Sequence, residues 1–188
     1  MKNTSRLTVF GLIALLALSV IGAAVAHRVV VIRGTNGDNV LTGTPRADRI
    51  FAKAGNDTVS ALAGRDHVFA GRGNDKVDGG PGRDHILGGF GDDMLNGSDG
   101  NDVIRGRQGT DRVDGGPGND RLWVGRGADT ELGGDGDDVL HALANDDMVD
   151  TVDCGPGNDK VWVNAAENDT HVNCEQVRTV SVQDPNAE

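Results

Sequence analysis

The sequence predicts an all-β fold, a right-handed parallel β-roll (a β-solenoid) in which two nonapeptides make one coil. Three periodic observations predict it. First, aspartates stand at Asp48, Asp57, Asp66, Asp75, Asp84, Asp93, Asp102, Asp111, Asp120, Asp129, Asp138 and Asp147, each nine residues after the last. Second, glycine lies two residues before ten of them, at Gly55, Gly64, Gly73, Gly82, Gly91, Gly100, Gly109, Gly118, Gly127 and Gly136, with Arg46 and Asn145 as the exceptions. Third, an aliphatic residue follows two positions after each aspartate, from Ile50, Val59 and Val68 through to Leu140 and Val149, and only Glu131 breaks that rule. A fixed short period of this kind is the signature of a solenoid, because each unit buries its apolar face only against copies of itself.

The unit reads G-G-x-G-x-D-x-U-x, with U aliphatic. Its clearest copies are Gly79-Gly80-Pro81-Gly82-Arg83-Asp84, Gly88-Gly89-Phe90-Gly91-Asp92-Asp93, Gly115-Gly116-Pro117-Gly118-Asn119-Asp120 and Gly133-Gly134-Asp135-Gly136-Asp137-Asp138. Glycine permits positive φ and close backbone approach, so the first six positions make a tight turn with inward carbonyls. The last three make a short strand whose central side chain faces inward and whose neighbours face outward. Two units close one coil, and successive coils stack at about 4.8 Å, the ordinary spacing of paired strands.

Composition agrees. There are 29 glycines, 3% aromatics and no tyrosine, so a large aromatic core is excluded. A net charge of −11 excludes nucleic-acid binding through bulk basic charge, since phosphates would be repelled. Acidity with so much glycine is otherwise a mark of disorder, which a metal-loaded repeat avoids.

The repeat resembles the RTX, or haemolysin-type, calcium-binding nonapeptide repeats over roughly residues 34–174. The resemblance implies Ca2+ between turns of adjacent coils on the same edge, held by sixth-position aspartates and turn carbonyls. A hard cation of this kind takes about six to eight oxygens. Same-edge turns are two units apart, so the implied pairs are Asp66/Asp84, Asp75/Asp93, Asp84/Asp102, Asp93/Asp111, Asp102/Asp120, Asp111/Asp129 and Asp120/Asp138. Asp48/Asp66 and Asp57/Asp75 are weaker, because Arg46 and Lys53 interrupt their turns, and Asp129/Asp147 is doubtful after the glycine-free Ala142-Leu143-Ala144-Asn145. The turn glycines assigned to these sites are Gly80, Gly82, Gly89, Gly91, Gly100, Gly109, Gly116, Gly118, Gly127, Gly134 and Gly136. One thin aliphatic row offsets little of the entropy of ordering so long a chain, and clustered aspartates repel, so folding is expected to be coupled to calcium.

At the N-terminus, Lys2 and Arg6 precede an apolar run over residues 7–21, and Ala24-Val25-Ala26 supplies a small-residue cleavage pattern. Residues 1–26 therefore read as a signal peptide, which implies a secreted chain with no membrane span after cleavage. The roll is assigned to residues 27–153. Thr151-Val152-Asp153 reads as an insertion before one more turn, Cys154-Gly155-Pro156-Gly157-Asn158-Asp159. Residues 154–179 read as a capping coil. Cys154 and Cys174, 20 apart in a fold with 18-residue coils, fall on neighbouring rungs and are expected to form a disulfide. Residues 180–188 read as a polar tail.

H-E-x-x-H, G-x-S-x-G and a Walker loop are all missing from the sequence, so no enzymatic activity is expected. The glycine-rich turns lack the following helix and lysine of a phosphate loop. Outward third positions such as Pro45, Arg72, Phe90 and Asp99 are too irregular for an ice-binding array. The main reading is a secreted calcium-binding solenoid with a structural or adhesive role. The alternative is an accessory module for another secreted protein or enzyme, and a hydrolase remnant is a distant third. One outward face carries Phe51, His67, Phe69, His85, Arg105, Arg121 and Trp123 with no acidic residue, and is expected to dock an acidic or apolar partner or a second roll. The other face reads Thr58/Ser60, Lys76/Asp78, Met94/Asn96, Arg112/Asp114, Thr130/Leu132 and Met148/Asp150.

Overall fold

The computed structural model describes residues 29–144 and 146–181. The signal-peptide reading and most of the polar tail fall outside them. No helix among the described residues is long and apolar enough to cross a membrane.

Each nonapeptide yields one strand, and alternate strands go to alternate sheets. One sheet holds β1 (Val30–Arg33), β3 (Asp48–Ala54), β5 (His67–Arg72), β7 (His85–Phe90), β9 (Val103–Gln108), β11 (Arg121–Arg126), β13 (Val139–Ala142), β15 (Lys160–Asn164) and β17 (Gln176–Val180). The other holds β2 (Val40–Thr42), β4 (Thr58–Ser60), β6 (Lys76–Asp78), β8 (Met94–Asn96), β10 (Arg112–Asp114), β12 (Thr130–Leu132), β14 (Thr151–Asp153) and β16 (Thr170–Val172). Neighbours within each sheet are successive odd or successive even strands, and every pair is parallel. The fold is a β-solenoid of about eight turns, as the repeat requires.

Register follows the 18-residue coil: Ile50 pairs with Val68, Val68 with Ile86, and Ile86 with Ile104. These aliphatic side chains are fully buried between the sheets, beside Val59, Val77, Leu95 and Val113 from the opposite sheet. The second inward position is mostly small, as at Ala52, Ala61 and Ala70, with Val124 and Val163 as the larger exceptions. The core is therefore two facing aliphatic rows, one from each sheet, with a fringe of mostly small residues. It leaves no room for bulk and needs none.

The register leaves the 18-residue step near the C-terminus, first after β12 and β13 and again in the last coil, where Thr151 pairs with Thr170 and Lys160 with Gln176. At the first departure Val139 pairs with Lys160 and Thr130 with Thr151, separations of 21 rather than 18 residues. The three extra residues lie in the turn after Ala142 and not at Thr151-Val152-Asp153, which forms strand β14 with Val152 fully buried. Asp150 is buried and takes the sixth position, whereas Asp147, Met148 and Val149 are exposed. The expected outward pair Met148/Asp150 is thus replaced by Thr151/Asp153. The cause is the turn that follows: Cys154-Gly155-Pro156-Gly157 keeps the standard spacing back to Asp150, so the glycine-free segment before it absorbs the surplus. Beyond it, β15, β16 and β17 continue both sheets. Cys154 and Cys174 are bonded across this last coil, with α-carbons 5.2 Å apart.

Candidate metal centre

The turns are shaped by where a side chain is forbidden. The second position of the unit has positive φ, as at Gly80 (+81°) and Gly116 (+92°). At the fourth position, a Cβ on Gly118 would collide with the carbonyl oxygen of Gly100 one coil below. Glycine here brings the carbonyl of one coil against the turn of the next, and no other residue does so.

Two unbroken ladders of carboxylates run along the two edges. On one, the main-chain N–H of Asp48 donates to Oδ1 of Asp66 at 2.7 Å, Asp66 to Asp84 at 2.8 Å, Asp84 to Asp102 at 2.7 Å and Asp102 to Asp120 at 2.7 Å. Asp120 then donates to Asp138 at 2.7 Å, Asp138 to Asp159 at 2.8 Å and Asp159 to Glu175 at 2.8 Å. On the other, Asp57 donates to Asp75, Asp75 to Asp93, Asp93 to Asp111 and Asp111 to Asp129, at 2.7–2.9 Å. Asp129 donates to Asp150 at 2.9 Å and Asp150 to Asp169 at 3.0 Å.

In eleven of these carboxylates one oxygen is thereby used and the other is not. Oδ2 of Asp57, Asp66, Asp75, Asp84, Asp93, Asp102, Asp111, Asp120, Asp129, Asp138 and Asp159 is buried with no hydrogen-bond partner. Asp48 differs, because Thr44 donates its N–H and hydroxyl to that carboxylate. The unused oxygens point toward first-position glycines: a Cβ added to Gly79 would stand 2.7 Å from Oδ2 of Asp84 and 2.9 Å from the carbonyl oxygen of Gly97. Carboxylate and carbonyl oxygens of successive coils thus converge where a side chain is missing.

Leaving a carboxylate oxygen buried and unpaired is costly, and such groups take up a proton or a cation. Burial, opposed by the ladder N–H and reinforced by neighbouring aspartates, pushes the carboxyls up to about 7 at Asp84, Asp93, Asp102 and Asp120 and to about 8 at Asp111. Asp150 rises to about 8 for the same reasons. Among the described residues no three His, Cys, Asp or Glu side chains converge, so a cation here takes most of its oxygens from main-chain carbonyls. An oxygen-only donor set of carboxylates and carbonyls suits a hard divalent ion, calcium before any softer metal.

The comparisons agree with that chemistry. The RTX calcium-binding nonapeptide repeat (4 copies) matches at residues 33–68, 42–77, 60–95, 96–131 and 123–161. The chain belongs to this family. None of the curated proteins matches it. As an RTX repeat protein it is a calcium-binding β-roll, and Ca2+ is its cofactor. The residues that would hold the ions are the ladder aspartates, with turn carbonyls of the coil above or below. Bound calcium supplies the positive charge that the buried carboxylates lack.

All the implied same-edge pairs from Asp48/Asp66 to Asp120/Asp138 are adjacent in the ladders. The doubtful Asp129/Asp147 pair is not formed, and Asp129 is joined to Asp150 instead. Asp150, Asp159, Asp169 and Glu175 are the ladder members that steps of nine from Asp48 pass over. Counting back nine from Asp159 finds Asp150, because Thr151-Val152-Asp153 stands before its turn just as Arg112-Val113-Asp114 stands before the next turn. Phe51, His67, Phe69, His85, Arg105, Arg121 and Trp123 all lie on the odd-numbered sheet.

Proposed function

We propose that the protein is an exported calcium-dependent solenoid, whose roll forms when calcium fills the turns and which serves a structural or adhesive role outside the cell. The observation that carries this reading is the row of eleven buried carboxylate oxygens without partners. Without cations these charges oppose the fold, and with cations they become its strongest cross-links between coils. The Cys154–Cys174 disulfide supports export, since such bonds persist in oxidising compartments. The deciding experiment is circular dichroism of the full chain in millimolar calcium and in excess chelator. Strand signal that appears with calcium and collapses with chelator is the expected result, and equal strand signal in both would refute the coupling.

The accessory-module reading is supported by a separate observation: the outward face of the odd-numbered sheet carries aromatic and cationic residues and no carboxylate. Pull-down from culture supernatant in calcium tests it, a stoichiometric protein partner being the result that favours it over a free-standing role.

A further inference from the structure

The outward column of the odd-numbered sheet is built of two stacks, one on either side of Leu87. Arg33 lies over Phe51 at 5.6 Å, and Phe51 is stacked on Phe69 at 4.9 Å with rings 4° from parallel. After Leu87, a second stack begins with Arg105 over Trp123 at 4.8 Å. It continues through Trp123 on His141 at 4.8 Å and His141 on Trp162 at 4.6 Å, and ends with Arg178 over Trp162 at 5.8 Å. Arg33, Arg105 and Arg178 therefore fall on the first, fifth and ninth rungs. The adjacent column adds Arg49, Arg121 and Lys160. Neither column holds a carboxylate, in a chain of net charge −11.

Because the rings stack on one another, their faces are spent inside the column, and what reaches solvent is ring edges, indole and imidazole N–H groups and guanidinium edges. Every one of these is electropositive. A guanidinium engaged over a ring through its carbon still has N–H groups to offer a carboxylate. Among the described residues the single ion pair is Arg112–Asp114, on the opposite sheet, so these arginines are not already paired with carboxylates. The strip is narrow and straight, ~38 Å long at the usual strand spacing.

We infer that this strip binds a linear carboxylated polysaccharide laid along the solenoid axis, its carboxylates on the arginine forks and its hydroxyls on the ring N–H groups. Competing occupants fit less well. A second copy placed face to face sets cations against cations. Nucleic-acid bases need open ring faces for stacking, and these faces are taken. An extended peptide gains its affinity at a sheet edge, whereas this is a sheet face. Membrane insertion needs protruding apolar groups, and Phe51, Phe69, Trp123 and Trp162 are only partly exposed. The inference rests on the adhesive reading above, since calcium builds the sheet that carries the strip.

The test uses the full chain in calcium, with immobilised hyaluronate and its carboxyl-reduced form as probes. Retention on hyaluronate alone, weakened by salt, is expected. Arg105→Gln and Arg178→Gln each lower affinity about tenfold, the worth of one charge-assisted contact, while Arg112→Gln on the opposite sheet changes nothing. Circular dichroism of each variant in calcium keeps a folding defect from passing as lost binding. Equal binding to both probes, unchanged affinity in the arginine variants, or tighter capture by poly-glutamate or anionic vesicles would each overturn the inference. A roll that stays folded in chelator would instead overturn calcium coupling and leave this binding result standing.

Discussion

The main-chain N–H of Asp120 donates to Oδ1 of Asp138 at 2.7 Å, and Oδ2 of both residues is left buried without a partner. One carboxylate thus does two separable jobs: it ties coil to coil, and it holds a charge that only a cation or a proton relieves. Asparagine separates the two, because its carbonyl keeps the ladder bond while its amide removes the charge. Asp102→Asn combined with Asp111→Asn should raise the calcium concentration at half-folding several-fold and lower the number of ions bound. Calorimetric titration reads both, and an unchanged stoichiometry would show that these oxygens hold no metal.

The pH dependence should reverse with calcium. Without metal, burial above all pushes the carboxyls of Asp84, Asp93, Asp102 and Asp120 up to about 7 and that of Asp111 to about 8. The folded chain then holds protons more tightly than the unfolded one. That stability is fully present below the ordinary carboxyl range near 4 and is lost as pH rises through about 6 to 8. In chelator, strand signal should therefore grow on acidification from about pH 8 to about pH 5. In limiting calcium, acidification should weaken metal binding, because protons compete for the same oxygens. Circular dichroism against pH, with and without chelator, checks both signs.

Substitutions in the turns should follow backbone geometry rather than side-chain character. Gly118→Ala drives a Cβ into the carbonyl oxygen of Gly100 and should unfold the central coils at calcium levels that fold the parent chain. Leu62 is held at φ +72°, at the position where Gly80 follows one coil later. Leu62→Gly relieves that left-handed strain and should leave stability unchanged or raise it by up to about 1 kcal/mol, the balance of relieved strain and added unfolded-chain entropy. Thermal unfolding in saturating calcium distinguishes the two.

The register shift gives a sharp comparison between neighbours. Asp150 is buried in the ladder, while Asp147 is exposed. Asp150→Ala should weaken calcium binding at the C-terminal coils and expose amides of β12 and β14 to exchange, and Asp147→Ala should do neither. Hydrogen exchange in calcium reads the difference strand by strand.

Loss of the Cys154–Cys174 bond should loosen the last coil without abolishing the roll. Closing a loop of this length contributes about 3 kcal/mol in chain-entropy terms. A Cys154→Ser, Cys174→Ser double variant should show faster exchange in β16 and β17 and normal protection from β3 to β11.

Much of this was legible because the chain repeats itself. Once Asp, Gly and an aliphatic residue are locked to one nine-residue frame, strand, turn and inward face follow at each copy, and the register of Val68 with Ile86 follows from the coil length alone. The frame failed where it ran through Asp147, since a correctly spaced aspartate in a glycine-free turn cannot bring its carbonyls together. Glu131 was legible only as an exception. It occupies an aliphatic position, is fully buried, accepts from the N–H of His141 at 3.3 Å, and is pushed up to about 8 by burial. The 18-residue period puts Trp123 and His141 on successive rungs, but Trp162 was out of reach, because it joins that column only through the 21-residue step.

Calcium entering the rows of unpaired carboxylate oxygens is what the roll is expected to depend on. The most direct measurement is a calcium titration of the full chain, following bound ions by calorimetry and strand content by circular dichroism in the same samples. Cooperative uptake of several ions per chain, rising together with strand signal and reversed by chelator, is the predicted result. A chain fully folded before the first ion binds, or one that binds none, would contradict it.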